Sequence, residues 1–114
     1  MPYEKFLIDV KKRIPTKNGH CPVTLLLLKL QGKWKSQVLY ELCINNIARF
    51  GELKKNIQGI TNSTLSNILK ELESDDLVKR TQFNEIPPHV EYSLTEKGKD
   101  LLPIFYQIMI WGFK

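Results

Sequence analysis

The sequence has little of what holds small secreted domains or metal centres together. Its 114 residues include two cysteines, Cys21 and Cys43, too few for a disulfide framework. The two histidines, His20 and His89, form no ligand-pair spacing with them, so no metal site is expected. No run approaches the roughly 18 to 20 apolar residues of a membrane span; TLLLLKL is short and contains Lys29. The N-terminal MPYEKFLIDVKKR lacks the apolar stretch and small-residue cleavage site of a signal peptide, so a cytoplasmic location is expected. The phosphate-binding loop, the dinucleotide fingerprint and the G-x-S-x-G elbow are absent, as are paired carboxylates on an apolar background. Neither an enzyme nor a cofactor is expected.

What is present is globular. A chain with 42% hydrophobic and 25% charged residues is not disordered. Its length suits one domain, residues 1–114, with a single core. A net charge of +5 favours an anionic partner without identifying one.

Apolar spacing divides the chain. Residues 1–15 are predicted to hold an N-terminal helix, with Phe6, Leu7 and Val10 at helical spacing and Pro15 as its stop. Thr16 to Pro22 reads as loop from its Asn, Gly and Pro. An apolar helix follows from Val23 to Leu30, ending near Gly32. The next runs from Trp34 to Cys43 with Trp34, Val38, Leu39 and Leu42 inward. Ala48 to Ile57 is predicted as a short helix on Phe50, Leu53 and Ile57, and Gln58 to Ile60 as the link to another helix. After that helix the period changes to two. Leu77 to Asn84 reads as a strand, Glu85 to His89 as a turn containing two prolines, and Val90 to Thr95 as a strand with Val90, Tyr92 and Leu94 on one face. Residues 96–114 form a final helix, with Thr95 its cap and Pro103 a kink. The expected fold is mainly α with a small β-hairpin (α+β). A close helix pair followed directly by a hairpin is a winged helix-turn-helix. Its core spans 23–95 with the wing at 77–95, flanked by N- and C-terminal dimerisation helices at 1–15 and 96–114.

One further absence points to a partner. No acid occurs between Glu52 and Glu71, an interval that holds Lys54, Lys55 and Lys70 and the whole start of the helix TNSTLSNILKELES. Helix starts ordinarily collect Asp and Glu, which suit the positive end of the dipole. Here Glu71, Glu73, Asp75 and Asp76 lie instead at the unfavourable end. Leu65, Ile68, Leu69 and Leu72 make one apolar stripe. The opposite face carries Ser63, Asn67 and Lys70, flanked by Thr64 and Ser66, with Thr61 or Asn62 as N-cap. Short hydrogen-bonding side chains let a helix backbone approach base edges in a DNA major groove, where Asn pairs with adenine and Ser or Thr takes either role. An acid-free helix start accepts phosphate. The plainer alternative is a solvated first turn. The predicted DNA-contacting residues are Asn62, Ser63, Thr64, Ser66, Asn67 and Lys70 on this helix, with Lys54, Lys55, and Arg80 and His89 of the wing, His89 at its tip. The wing's basic residues also fit a plain role as guards of a sheet edge.

The final helix places Leu101, Leu102, Ile104, Phe105, Ile108, Met109, Ile110 and Trp111 on more than one side, more apolar surface than one core needs. Phe6, Leu7 and Val10 with Phe105, Ile108, Met109 and Trp111 are the predicted dimer interface, and a two-fold dimer suits a pseudo-palindromic operator in double-stranded DNA. Cys21 precedes Pro22 at a helix start with Lys17 near in sequence, which lowers a thiol pKa. Cys43, beside Leu39 and Leu42, reads as core.

The blocks CPVTLLLLKLQGKWKSQVLYEL, RFGELKKNIQGI and IPPHVEYSLTEKGKDLLP resemble the HxlR-type transcriptional regulators, a bacterial branch near the MarR-like winged helices, from about Cys21 to Gly112. GKWK, RFGELK and PPxVEYSLTxxGxxLxP together are highly specific. The resemblance implies a homodimeric DNA-binding regulator, repressor or activator, with contacts from its terminal helices. Some of its members use a cysteine at the position of Cys21 to sense oxidants or electrophiles. The wing tip commonly carries Arg after the prolines, where this sequence has His89. A winged-helix protein–protein adaptor that does not touch DNA is the alternative, against which the acid-free interval speaks.

Overall fold

The computed structural model describes residues 2–12 and 21–114. The Pro15 stop, Lys17, His20 and the loop expected from Thr16, save Cys21 and Pro22 at its end, lie outside the described residues. The elements are α1 (Tyr3–Lys11), α2 (Pro22–Leu28), α3 (Lys35–Asn45), β1 (Ile47–Ala48), α4 (Phe50–Asn56), α5 (Asn62–Ser74), β2 (Val78–Phe83), β3 (His89–Leu94), α6 (Glu96–Lys99) and α7 (Leu101–Gly112). The chain divides into two compact units, Met1–Gln31 and Gly32–Lys114.

The first unit holds α1 and α2. Glu4 in the first turn of α1 and Lys11 in its last suit the helix dipole. Pro22 opens α2 where a missing N–H costs nothing, behind Cys21 in extended conformation.

The second unit is built on α3, α4 and α5. Val38, Leu39 and Leu42 of α3 are buried, and Trp34 stands before the helix as its half-buried N-cap. Leu53 on α4 and Ile57 after it are buried as their spacing requires. Each such leucine contributes roughly 1.5–3 kcal/mol through lost water contact. The helix predicted from Ala48 starts only at Phe50. Asn46, at φ +63°, turns the chain into β1, where Ala48 pairs with Tyr92 and Ile47 with Ser93. Glu52 Oε1 then accepts the Arg49 N–H at 2.9 Å, capping α4. A two-residue strand has no period of its own; it exists only through β3.

The sheet therefore has three strands in the order β1-β3-β2. β2 and β3 form the predicted hairpin, in register from Val78↔Leu94 to Phe83↔His89. As the central strand, β3 is half-buried at every position before buried Leu94, so the expected in–out alternation is blurred. At the end of α5 the Leu77 N–H donates to the Leu72 carbonyl at 2.9 Å and the Asp76 N–H to the Glu73 carbonyl at 3.0 Å. Asp76 takes φ +59° to close this cap.

The final helix is two helices. Its expected kink is a break at Asp100, between α6 and α7. Pro103 has no N–H to give and its ring collides with the carbonyl four residues earlier, at Lys99. It is tolerated in the first turn of a new helix and not within a continuous one. Thr95 caps α6 as predicted, accepting the Gly98 N–H at 3.0 Å. Its hydroxyl also donates to the Asp76 carbonyl at 2.6 Å, tying the exit of the wing to the end of α5.

Candidate nucleic-acid interface

The turn between α4 and α5 decides where α5 points. Gly59 adopts φ +85°, a conformation that costs glycine little, and Ile57 and Ile60 on either side of it are buried. Thr61 is the N-cap: the Thr64 N–H donates to its Oγ1 at 3.1 Å. The Thr61 hydroxyl in turn donates to Thr64 Oγ1 at 2.8 Å, so Thr64 belongs to the cap as well as to the predicted contact face.

Leu65, Ile68, Leu69 and Leu72 are all buried. The opposite face, Ser63, Asn67 and Lys70, is exposed together with Asn62, while Thr64 and Ser66 are half-buried on its flanks. No acid stands in the first turn, so the positive dipole end meets no carboxylate, and of the first-turn N–H groups Thr64's is taken by the Thr61 cap. Lys54 and Lys55 close α4, where they complement the negative end of that helix.

The wing joins this surface through β2, which packs on α5. Lys79 and Arg80 are exposed. The Arg80 guanidinium donates to Gln82 Oε1 at 3.4 Å. Gln82, not among the residues expected from the sequence, lies two residues on, on the same strand face, where the period of two places it. His89 is not at the tip. It opens β3, and its ring stacks on Phe83 with centroids 4.6 Å apart and planes at 14°. Nε2 lies 3.1 Å from Glu91 Oε2 and Nδ1 3.6 Å from Glu85 Oε2, leaving the side chain 16% exposed. The two prolines lengthen the turn, so the strand resumes at His89 and the outermost position falls to fully exposed Ile86.

An ion pair not foreseen from the sequence also reaches α5. Lys35 Nζ at the start of α3 lies 2.9 Å from Glu71 Oε2.

The family model for HxlR-like helix-turn-helix proteins matches residues 29–114. The chain belongs to this family. Over 93 residues the HxlR-like protein is 48% identical to BH0655 of Halalkalibacterium halodurans, an uncharacterised HTH-type transcriptional regulator, with 82% of each chain covered. Among solved structures it is similar to the redox regulator HypR in its oxidised form, at 42% identity and a TM-score of 0.73 over 81% of this chain and 94% of that one. It is likewise similar to the reduced form of the transcriptional regulator YodB from B. subtilis, at 32% identity and a TM-score of 0.73, over 81% and 90% of the two chains. The HxlR-like protein is a winged-helix, DNA-binding regulator of transcription and not an enzyme. Among the described residues no helix is long and apolar enough to cross a membrane.

The remaining predicted residues of the HxlR-like protein fall as follows. On α7, Ile108, Met109 and Trp111 are exposed, and half-buried Phe105 meets Tyr40 edge-on at 6.4 Å. Pro103, Ile104, Gln107, Ile108 and Trp111 line an apolar hollow of ≈ 380 Å³. On α1, Phe6 is half-buried and Leu7 exposed; the Val10 side chain lies outside the described residues. Cys21 and Cys43 are free thiols. The Thr24 backbone N–H, then the Thr24 hydroxyl and the Val23 N–H, hold the exposed Cys21 thiol below its ordinary range. Burial pushes Cys43 up.

Proposed function

We propose that this HxlR-like protein acts in the cytoplasm as a homodimer on a pseudo-palindromic operator, and that oxidation or alkylation of Cys21 changes its hold on DNA. The observation that carries the DNA reading is the exposed face of Asn62, Ser63, Asn67 and Lys70, with Thr64 and Ser66 beside it, over a buried leucine stripe and an acid-free helix start. Ser63, Asn67 and their neighbours read base edges. Lys54, Lys55, Lys70 and Arg80 hold phosphate, and His89 contributes by bracing the wing. The uncovered apolar surface of α7 at Ile108, Met109 and Trp111 supports a second copy as its cover, with Phe105 behind it; Phe6, Leu7 and Val10 of α1 are the proposed contribution of the N-terminal helix to the dimer. Two copies related by a two-fold axis set their α5 helices roughly 34–36 Å apart, one turn of duplex.

A gel shift on DNA upstream of the protein's own or neighbouring genes tests this reading. Sequence-dependent binding that weakens with salt is expected; its absence under both reducing and oxidising conditions sinks the proposal and favours a protein-only adaptor. Arg80→Ala is expected to weaken binding to every sequence alike and to flatten the salt slope by about one charge. An unchanged slope would take Arg80 off the phosphates.

For Cys21, a lowered thiol pKa keeps the reactive thiolate populated at lower pH. Its modification rate is therefore expected to hold as pH falls and to drop only when pH passes below that lowered value. Cys21→Ser should still bind the operator but lose its response to diamide or a quinone. Equal responses from both proteins would remove Cys21 from the mechanism.

A further inference from the structure

Helix α3 begins badly by electrostatic rules. Its first residue is Lys35, its first turn holds no acid, and its N-cap, Trp34, makes no side-chain cap hydrogen bond. A cation at the positive end of a helix dipole is disfavoured. Helix α5 has the opposite defect, with Glu71 leading a run of acids toward its negative end. One contact answers both. Lys35 Nζ sits 2.9 Å from Glu71 Oε2; the lysine side chain is 16% exposed and the glutamate's 56%. The carboxylate is screened by solvent, so the pair adds little to stability; the packed lysine fixes where the glutamate is held.

The neighbouring residue supports the same contact. Trp34 lies against the turn before α5: a β-carbon built on Gly59 would sit 3.7 Å from its indole Cη2. The Lys33 ammonium rests 4.6 Å over the Trp34 ring. Consecutive residues at the head of α3 thus hold the turn at Gly59 and the flank of α5 at Glu71.

Glu71 follows Asn67 by four residues, one turn further along the same side of α5. At about 100° per residue it stands on the boundary between the buried stripe and the exposed face. The leucine stripe holds α5 onto the core, but apolar contact is non-directional and tolerates small rotations. A short ion pair at the boundary is directional. We propose that Lys35 and Glu71 are positioning residues that set the roll of α5 about its axis, and with it the aim of Ser63 and Asn67. This rests on the reading of that face as the base-contacting one.

The test compares affinities of the full chain for an operator duplex and a random duplex of equal length, at one salt concentration. Lys35→Gln and Glu71→Gln change the net charge in opposite directions. If the pair acted only through charge, the first would weaken and the second strengthen binding to both duplexes, and the ratio of the two affinities would stay put. A positioning role lowers the ratio in both variants, by about five- to tenfold. Lys35→Arg should keep the ratio, and the charge-swapped Lys35→Glu/Glu71→Lys protein should regain most of it. Melting curves taken in parallel show that each variant is folded; were a single variant to unfold, the arginine and swapped proteins decide. A ratio within about twofold of wild type in both single variants overturns the positioning role, as does a loss the swap does not repair. A wild-type protein with no sequence preference overturns the underlying reading of α5 instead.

Discussion

Gly98→Ala is expected to destabilise the protein by roughly 1–3 kcal/mol, the range for forcing extra atoms into a packed site. A β-carbon built on Gly98 collides with the Leu77 carbonyl oxygen and comes to 3.1 Å from Leu94 Cδ2. That oxygen already accepts the Thr95 N–H at 3.1 Å, and Thr95 is bonded both to Gly98 and to Asp76. The collision is therefore with backbone held from several sides, and no side chain can swing aside. Alanine is a better helix former than glycine by nearly 1 kcal/mol, so the two effects oppose each other. The clash should win, because relief requires moving α6 away from the start of β2. Thermal unfolding at a fixed protein concentration should show the midpoint fall by about 5–15 °C. An unchanged midpoint would mean that the junction of α5, the wing and α6 gives more easily than its hydrogen bonds suggest.

Asn67→Ala should cost about 1–3 kcal/mol of discrimination between operator and random DNA, roughly 5- to 150-fold in the ratio of affinities. Asn67 is exposed at the middle of the outward face of α5. Its amide can pair bidentately with adenine, as can that of Asn62 at the helix start, but Asn67 stands directly opposite the buried stripe. Its removal should leave stability nearly unchanged, since it contributes nothing to the buried stripe. The pattern to look for is a lost preference with retained non-specific binding and retained salt slope. Binding lost equally on all sequences would place Asn67 on the backbone and move base reading to Ser63 or Asn62.

The main parts of the candidate site were legible because they depend on local order. The stripe of Leu65, Ile68, Leu69 and Leu72 follows from helical spacing, and all four are buried. The caps Thr61 and Thr95 each accept an N–H three residues ahead, a bond confined to a single turn. The hairpin from Val78 to Leu94 was marked by period-two spacing and a proline turn. His89 shows where such reasoning stops. Its position in the chain suggested the wing tip, but Phe83, Glu85 and Glu91 draw it inward.

By itself the sequence determined the order of helices and hairpin, the inward faces of α3, α4 and α5, the acid-free start of α5, and the family. These rest on residue type and on spacing of a few positions, which set local conformation and amphipathic direction. Only the tertiary structure decided the rest. It made β1 a strand through pairing with β3, split the last helix at Asp100, placed His89 as a brace, and joined Lys35 to Glu71 across 36 positions of sequence. Periodicity says which side of an element is covered. It carries no record of what covers it, because that partner is brought in by the packing of elements distant in the chain.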